Sequence, residues 1–235
     1  MNVLIRVDAY DEIALGHLSR CIELGKALVK LKNKVIFLSY DDESSSSRLK
    51  LSNINSQLVP FKINEVQFLE KEMKVLESFS ESIDILILDS YNVDKEYFML
   101  LDKFFPIIIY LDDMKSDFDY VNMVINPSCK VTKNSYMAKN VLHGIEFVIL
   151  GKDYLNQKPR VINSNISSIL ITMGGIDHFD LSSQILFILE EINTNIEVNL
   201  IIGPYYENTN QIKKVAKNSD LVVNFFEGLT SICSV

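Results

Sequence analysis

The chain carries too few cysteines, and too widely scattered, for a disulfide framework or a thiolate cluster. There are three, Cys21, Cys129 and Cys233, with no CxxC pair and no zinc-type spacing. Idle or buried thiols in a reducing compartment are the expected reading. No HExxH and no calcium-type aspartate loop occurs, and His143 and His178 have no partners at ligand spacing. No metal is therefore expected. Basic residues are also in deficit. The 23 Lys and Arg stand against 31 Asp and Glu, for a formal net charge of -8, and no Lys/Arg block is present. A nucleic-acid partner, which would want a basic face, is not expected. An anionic ligand would have to be held by local donors rather than by the overall field. Apolar runs such as Pro106 to Leu111 fall far short of the ~20 residues of a spanning helix. Met1 leads into a strand without a basic leader. Neither a membrane span nor a secretory signal is expected, and the expected location is the cytoplasm. Walker A and complete GxGxxG motifs are absent, so nothing points to ATP or NAD and no cofactor is expected.

What is present is a chain of 235 residues, 48% hydrophobic, long enough for one large or two modest domains. Short Ile/Leu/Val runs without period-two alternation occur at Val3 to Val7, Val35 to Ser39, Gln57 to Phe61, Ile85 to Asp89 and Ile107 to Leu111. They read as parallel strands covered on both faces. Helical patterns lie between them at His17 to Lys30, Ser44 to Leu51, Glu65 to Ser78 and Lys95 to Lys103. A short strand at Met123 to Asn126 follows, then a polar, irregular stretch from Lys130 to His143, then a last strand at Glu146 to Leu150. The four serines Ser44 to Ser47 read as a loop entering a helix. Gly151 to Asn165, with Pro159, reads as a linker. A second unit repeats the alternation: strand Ser168 to Met173, helix Leu181 to Glu191, strand Val198 to Ile202, helix Asn210 to Lys217, strand Leu221 to Phe225. The expected fold class is α/β, with two Rossmann-like, doubly wound parallel-sheet domains. The domains are placed at residues 1–155 and 156–235, the second incomplete, with about three strands against six or seven.

Chemistry-bearing residues gather at strand ends. The first strand runs into a polar loop, Ala9 to Leu15, and Gly16-His17-Leu18-Ser19-Arg20 opens an amphipathic helix. Ligands of open α/β sheets bind at such carboxyl ends, and helix amino ends favour phosphate. His17 can serve as a general base, since histidine titrates near neutrality and the helix dipole favours the neutral ring. It can equally be a histidine satisfied by a backbone carbonyl. Arg20, one turn on, can hold a phosphate or carboxylate or stand solvated. Arg6 and Asp8 share a side-chain direction on the first strand and either pair with each other or shape the cleft. Asp89-Ser90-Tyr91, Asp112-Asp113 and Asn126 end three further strands, as site residues or as loop caps. Gly174-Gly175-Ile176-Asp177 makes another strand-to-helix junction, where backbone can approach a phosphate.

The order Arg6-Val-Asp8, Ile13-Ala-Leu-Gly16-His17-Leu-Ser-Arg20, Asp89-Ser90-Tyr91, Leu111-Asp112-Asp113, Asn126 and Gly174-Gly175-Ile-Asp177 resembles a known family. It is that of the UDP-2,4-diacetamido-2,4,6-trideoxy-β-L-altropyranose hydrolases of pseudaminic acid biosynthesis, with related spore-coat polysaccharide proteins. The resemblance runs from residue 1 to about 205. It implies a GT-B fold similar to the lipid II N-acetylglucosaminyltransferase, with a cleft between two Rossmann-like domains. It implies that water, activated by His17 without a metal, displaces UDP from the anomeric carbon. Arg6, Asp8, Gly16, Arg20, Asp89, Tyr91, Asp112 and Asn126 would then line the substrate pocket, and Gly174, Gly175 and Asp177 would meet the nucleotide. Three departures stand out. Ile176 replaces the family's threonine. Phe147 to Lys152 lacks the family's arginine. The chain reaches Val235 before the glutamate motif that grips uridine, and Glu227 lies too early to replace it. The uracil half of the site is therefore expected to be incomplete. Two alternatives remain open: a GT-B glycosyltransferase using a UDP-sugar, and a non-catalytic UDP-sugar-binding module.

Overall fold

The computed structural model describes residues 1–9, 16–59, 68–155, 157, 164–192, 195–229 and 232–234. The chain forms two compact units, Met1–Gly151 and Lys152–Val235. In the first, strands and helices alternate: β1 (Asn2–Val7), α1 (Gly16–Lys30), β2 (Lys34–Tyr40), α2 (Glu43–Ser52), β3 (Asn55–Val59), α3 (Phe68–Glu77), β4 (Ile85–Asp89), α4 (Lys95–Leu101), β5 (Ile108–Leu111), β6 (Met123–Asn126) and β7 (Asn140–His143). All neighbouring strands are parallel, in the order β3-β2-β1-β4-β5-β6-β7. The order reverses between β1 and β4, which is the switch point where such sheets offer a ligand crevice.

Helices cover both faces, as the unbroken apolar runs require. Arg6 pairs with Leu88 across the sheet, and Val7 with Asp89. Alternation along the strands therefore puts Leu4, Arg6, Leu86 and Leu88 on one face, and Val3, Ile5, Val7, Ile87 and Asp89 on the other. The first face packs on Met73 and Leu76 of α3 and on Tyr97, Phe98 and Leu101 of α4. The second lies under α1, whose Leu18, Cys21, Ile22 and Gly25 form the buried stripe. Asp94 caps α4, accepting from the Tyr97 N–H at 2.8 Å.

Several sequence expectations are corrected. The last strand of this sheet is Asn140–His143, inside the stretch read as irregular. The segment read as that strand, Glu146 to Leu150, instead begins within a 3-10 turn at Ile145–Phe147. The cause is exposure: β7 is an edge strand, half-covered at best, so its apolar pattern is short. Ser44–Ser47 belongs to α2 rather than to a loop. There Asp42 accepts from the Ser45 N–H at 3.1 Å, and the buried Ser45 hydroxyl donates to the Ala9 carbonyl at 2.7 Å. The strand read as Gln57 to Phe61 begins two residues earlier, and Pro60 and Phe61 lie outside the described residues, as do residues 65–67 of the expected third helix. The loop from Tyr10 to Leu15, which includes the Ile13-Ala-Leu part of the motif, and the linker residue Pro159 also lie outside them.

The second unit holds α5 (Lys152–Leu155, in the stretch read as linker), β8 (Ser168–Thr172), α6 (Leu181–Glu191), β9 (Glu197–Ile202), α7 (Thr209–Lys217) and β10 (Val223–Glu227). Its parallel sheet runs β10-β9-β8. Its own core joins Ile171, Leu186, Val198, Leu200, Ile202, Tyr206 and Ile212. β10 starts two residues later than expected. Among the described residues no helix is long and apolar enough to cross a membrane.

The turn after β8 is fixed by its neighbour. Gly174 has φ +74°, a left-handed conformation that suits glycine. Gly203, after β9, lies so close that a Cβ there would overlap the carbonyl oxygens of Gly174 and Gly175. Backbone cannot move aside as a flexible side chain can. Gly203→Ala is expected to destabilise the second unit by about 1–3 kcal/mol. Hydrogen exchange of the β9 amides should quicken accordingly, and unchanged protection would show that the turn yields freely.

Candidate functional site

The site is assembled around the carboxylate of Asp89, the last residue of β4, which is 1% exposed. A buried carboxylate needs donors. Here one helix face supplies them. His17, Arg20 and Cys21 stand at i, i+3 and i+4 at the start of α1, so all three point the same way. The His17 Nδ1 is 2.6 Å from Asp89 Oδ1. Arg20 grips Asp89 with two prongs, Nε to Oδ2 and Nη2 to Oδ1, each at 2.6 Å. The Cys21 thiol donates to Oδ2 at 3.2 Å. An ionised carboxylate only accepts, so the ring proton of His17 sits on Nδ1. Among the described residues no hydrogen bond falls on the other ring nitrogen, Nε2.

Two loops close the cluster. Tyr91, two residues past β4, meets the His17 ring edge-on, with centroids 4.5 Å apart and planes at 87°. Its hydroxyl donates to Asp113 Oδ2 at 3.3 Å. Arg20 Nη1 donates to the same oxygen at 2.6 Å. His17, Asp89, Arg20, Asp113 and Tyr91 thus form a closed ring of contacts. Charges follow from this geometry. Burial alone would raise the Asp89 carboxyl, but the bonds from Arg20 and His17 outweigh it and hold it below the usual carboxylate range. Burial works against the Arg20 cation too, and Asp89 and Asp113 more than offset it. Burial and the Asp89 charge push the Cys21 thiol up, so it remains a donor. Burial and Asp113 raise the Tyr91 phenol. Beside Arg20 and Asp113 lies a shallow recess walled by Leu111, Ile125, Pro127, Phe147 and Ile149.

Of the other residues read from the sequence, several turn out to be internal supports. Arg6 is 2% exposed, and each of its guanidinium nitrogens has a protein partner: Asp8, Tyr40 and, at 2.6 Å, Glu72. Its guanidinium is held inside the fold by these partners. Asp8, fully buried, accepts from Arg6, from the Ser90 hydroxyl at 2.6 Å and from Asn92 at 3.1 Å. It anchors the loop that carries Tyr91. Asp112 accepts from the N–H groups of Met114 at 3.0 Å and Ser116 at 3.2 Å, from Asn126 and from the Tyr136 hydroxyl. Asn126 donates to Tyr136 at 2.7 Å and accepts from the Ser128 N–H at 2.8 Å. Both are 1% exposed, and they lock the loops that follow β5 and β6. Gly16 is the exposed first residue of α1. Asp113, read from the sequence with Asp112 as a strand-end pair, meets Arg20, and Cys21, read as an idle or buried thiol, joins the cluster at Asp89. The signal was available in the helical spacing of 17, 20 and 21.

In the second unit, Gly174 and Gly175 form the turn after β8, and the Gly175 carbonyl accepts from the Tyr205 N–H at 3.0 Å. Asp177 caps α6, accepting from the N–H groups of Leu181 at 2.9 Å and Ser182 at 2.8 Å. Burial would raise its carboxyl, yet these backbone bonds hold it low. This carboxylate occupies the helix amides that a phosphate would use. A recess between Gly174, Ser182, Gly203 and Tyr206 lies alongside. Among the described residues no three His, Cys, Asp or Glu side chains are grouped so as to hold a metal ion.

No family model matches the chain. An uncharacterised protein of Methanocaldococcus jannaschii is 20% identical over 229 residues, covering 92% of this chain and 46% of that protein. The chain thus spans about half the length of this curated relative. Among solved structures, Acinetobacter baumannii MurG is similar over 100% of this chain and 70% of its own, with a TM-score of 0.63 at 11% identity. Anabaena HepE in complex with UDP matches over 99% of this chain and 71% of its own, with a TM-score of 0.62 at 12% identity. A glycosyltransferase of Rickettsia africae matches over 99% and 69%, with a TM-score of 0.61 at 15% identity. The shared fold is the GT-B fold of glycosyltransferases, α/β with Rossmann-like sheets.

The Asp89 cluster carries a pH signature. Its carboxyl lies low in the folded state, so its contribution to stability is whole above the ordinary carboxylate range near pH ~4. That contribution is lost as acid takes the pH down through the folded value. Asp89→Asn is expected to destabilise the first unit by about 2–4 kcal/mol at neutral pH. The gap to the native protein should narrow as acid takes the pH down through the lowered value of this carboxyl, below the ordinary carboxylate range. Urea titrations across pH read this directly, and a gap that is constant with pH would contradict it.

Proposed function

We propose that the chain binds a UDP-sugar and releases UDP from it by hydrolysis, with His17 as general base. One observation carries the reading. His17 is fixed through Nδ1 by a buried carboxylate, with no bond on Nε2 among the described residues, at the carboxyl edge of the sheet beside its switch point. HepE, which shares the fold, was solved with UDP and with UDP-glucose. On this reading Nε2 takes a proton from water as the water oxygen attacks the anomeric carbon. The bond from that carbon to the UDP oxygen breaks, and its electron pair leaves with the β-phosphate. Asp89 then faces an imidazolium that it is placed to stabilise. Tyr91 borders the base. The motif order from Arg6 to Asp177 supports as the sugar the diacetamido-trideoxy sugar of pseudaminic acid biosynthesis. The first unit would carry the base and the sugar.

A second reading, transfer to a sugar acceptor, is favoured by the glycosyltransferases among the similar structures. The same base could activate either hydroxyl. Purified protein incubated with UDP-sugars and no acceptor distinguishes the two. UDP release supports hydrolysis. Release only after an acceptor is added supports transfer, and binding without turnover supports a non-catalytic module. Where turnover is seen, His17→Ala should lower kcat at least ~100-fold, the usual scale for a general base, and cost about 1–3 kcal/mol of stability through the donor lost at Asp89. Full turnover in that variant would remove His17 from the mechanism.

A further inference from the structure

The net charge of -8 is unevenly spread. Between Glu23 and Asp41 the sequence holds four lysines, Lys26, Lys30, Lys32 and Lys34, and no carboxylate. From Ser44 to Val59 it holds Arg48 and Lys50, again with no carboxylate. The fold brings these two segments together. α1 and α2 follow the neighbouring strands β1 and β2, pack on each other and both end at the amino edge of the sheet. α1 stops in a tight turn: the Asn33 N–H donates to the Leu28 carbonyl at 3.1 Å and the Lys32 N–H to the Val29 carbonyl at 2.9 Å. Lys32, with φ 66°, stands where such a turn usually carries glycine. α2 ends likewise at Asn53, with φ 56°. Both helix ends leave a leucine in water, Leu31 at 72% exposure and Leu51 at 83%. Lys30, Lys32, Lys34 and Lys50 are exposed beside them. Among the described residues none of these four lysines has a carboxylate partner. Glu23 is taken by Lys26 at 2.6 Å, and Asp84, at the foot of β4 beyond β1, accepts from the Asn2 N–H at 2.7 Å.

A single exposed leucine needs no explanation. Leucines set among uncompensated lysines at one edge of an acidic protein do. We propose that this edge, at the ends of α1 and α2, is a docking surface for an anionic membrane. Its ammonium groups would meet headgroup phosphates, and Leu31 and Leu51 would enter the boundary with the acyl chains. Charge complementarity selects an anionic partner. The side chains select a bilayer over a nucleic acid, which is better served by arginine forks and stacking aromatic rings. Here lysine outnumbers arginine, and the two aromatics between Leu24 and Val59, Phe37 and Tyr40, are both buried. His17 opens the helix that Lys30 closes, about 20 Å away for a helix of that length. A protein docked by this edge would keep the Asp89 cluster turned toward water. The inference does not rest on the UDP-sugar reading.

The test is co-sedimentation with two kinds of vesicle, phosphatidylcholine alone and equal parts phosphatidylcholine and phosphatidylglycerol. The protein should bind the second kind and not the first, and added salt should weaken that binding. Lys30→Gln combined with Lys32→Gln should lower the partition coefficient about 25-fold, at about fivefold per lysine. Leu31→Ser should lower it about tenfold with the charge unchanged. Lys214→Gln combined with Lys217→Gln removes the same charge from α7 in the second unit and should change it by less than about twofold, since distant exposed charges are screened. Equal binding to both kinds of vesicle, or binding to neither, overturns the proposal. So does a loss in the α7 variant as large as in the α1 variant. Binding to duplex DNA through Lys30 and Lys32, with Leu31→Ser without effect on either polyanion, would mark a general polyanion site and overturn it as well. The substituted side chains are exposed, so the fold does not depend on them. The measurement needs no sugar nucleotide.

Discussion

The first unit depends on one buried charge. Asp89 ends a central strand with almost no solvent to stabilise it, and an isolated ionised carboxylate there would carry a desolvation cost of several kcal/mol. It accepts from the imidazole, the guanidinium and the thiol, all delivered by the first two turns of α1. Satisfying that one side chain fixes the rotation of the helix over the sheet. It also fixes where the imidazole stands and which ring nitrogen it turns away. Hydrophobic burial of Leu18, Cys21 and Ile22 holds the same helix down but leaves its rotation loosely defined. The polar contacts remove that freedom.

A second charged network lies on the opposite face of the same sheet. Arg6, Asp8 and Glu72 are paired there, with Tyr40 against the guanidinium. The two networks do not share a residue, yet they share a loop. Ser90 donates to Asp8 on one side, and Tyr91 packs on His17 on the other. The chain that leaves β4 is thus tied to both faces within two residues. A loop held at both sides can place an aromatic ring against an imidazole without backbone strain, and among the described residues no positive φ falls between 89 and 92.

Much of this was legible in sequence because it follows from period and spacing. Unbroken Ile/Leu/Val runs named the central strands, and β4, β6 and α6 fall where the pattern put them. The Gly-His stands, as read from the sequence, at a strand-to-helix junction at the carboxyl edge of the sheet. What sequence could not assign was which of several strand-end carboxylates faces the imidazole. Asp8, Asp89 and Asp112 look alike in the chain, each closing an apolar run. Their roles separate only when partners from distant segments arrive: Arg6 and Ser90 at Asp8, Tyr136 and Asn126 at Asp112, α1 at Asp89. Asp113 differs from its neighbour Asp112 by one residue, and in the structure it turns outward to Arg20. The edge strand β7 was missed for a different reason. A half-covered strand need not repeat an apolar pattern, and Asn-Val-Leu-His has room for only two apolar residues.

The second unit shows how a junction can look like a phosphate site and still be built differently. A glycine pair followed by a helix suggests anion binding by free helix amides. Here the Leu181 and Ser182 amides are already satisfied by Asp177, whose negative charge would repel a phosphate at that spot. Any diphosphate held by this unit has to be met upstream, by backbone of the turn itself. That turn has the necessary freedom and shape. Gly174 is left-handed, and nothing lies within 4 Å of where its Cβ would be, while Gly203 holds the opposite side of the turn against displacement. Local approach, rather than the helix dipole, is then the means by which this junction could accept an anion in a chain whose net charge is -8. In the first unit, likewise, the cation nearest His17 is already paired, with Asp89 and Asp113.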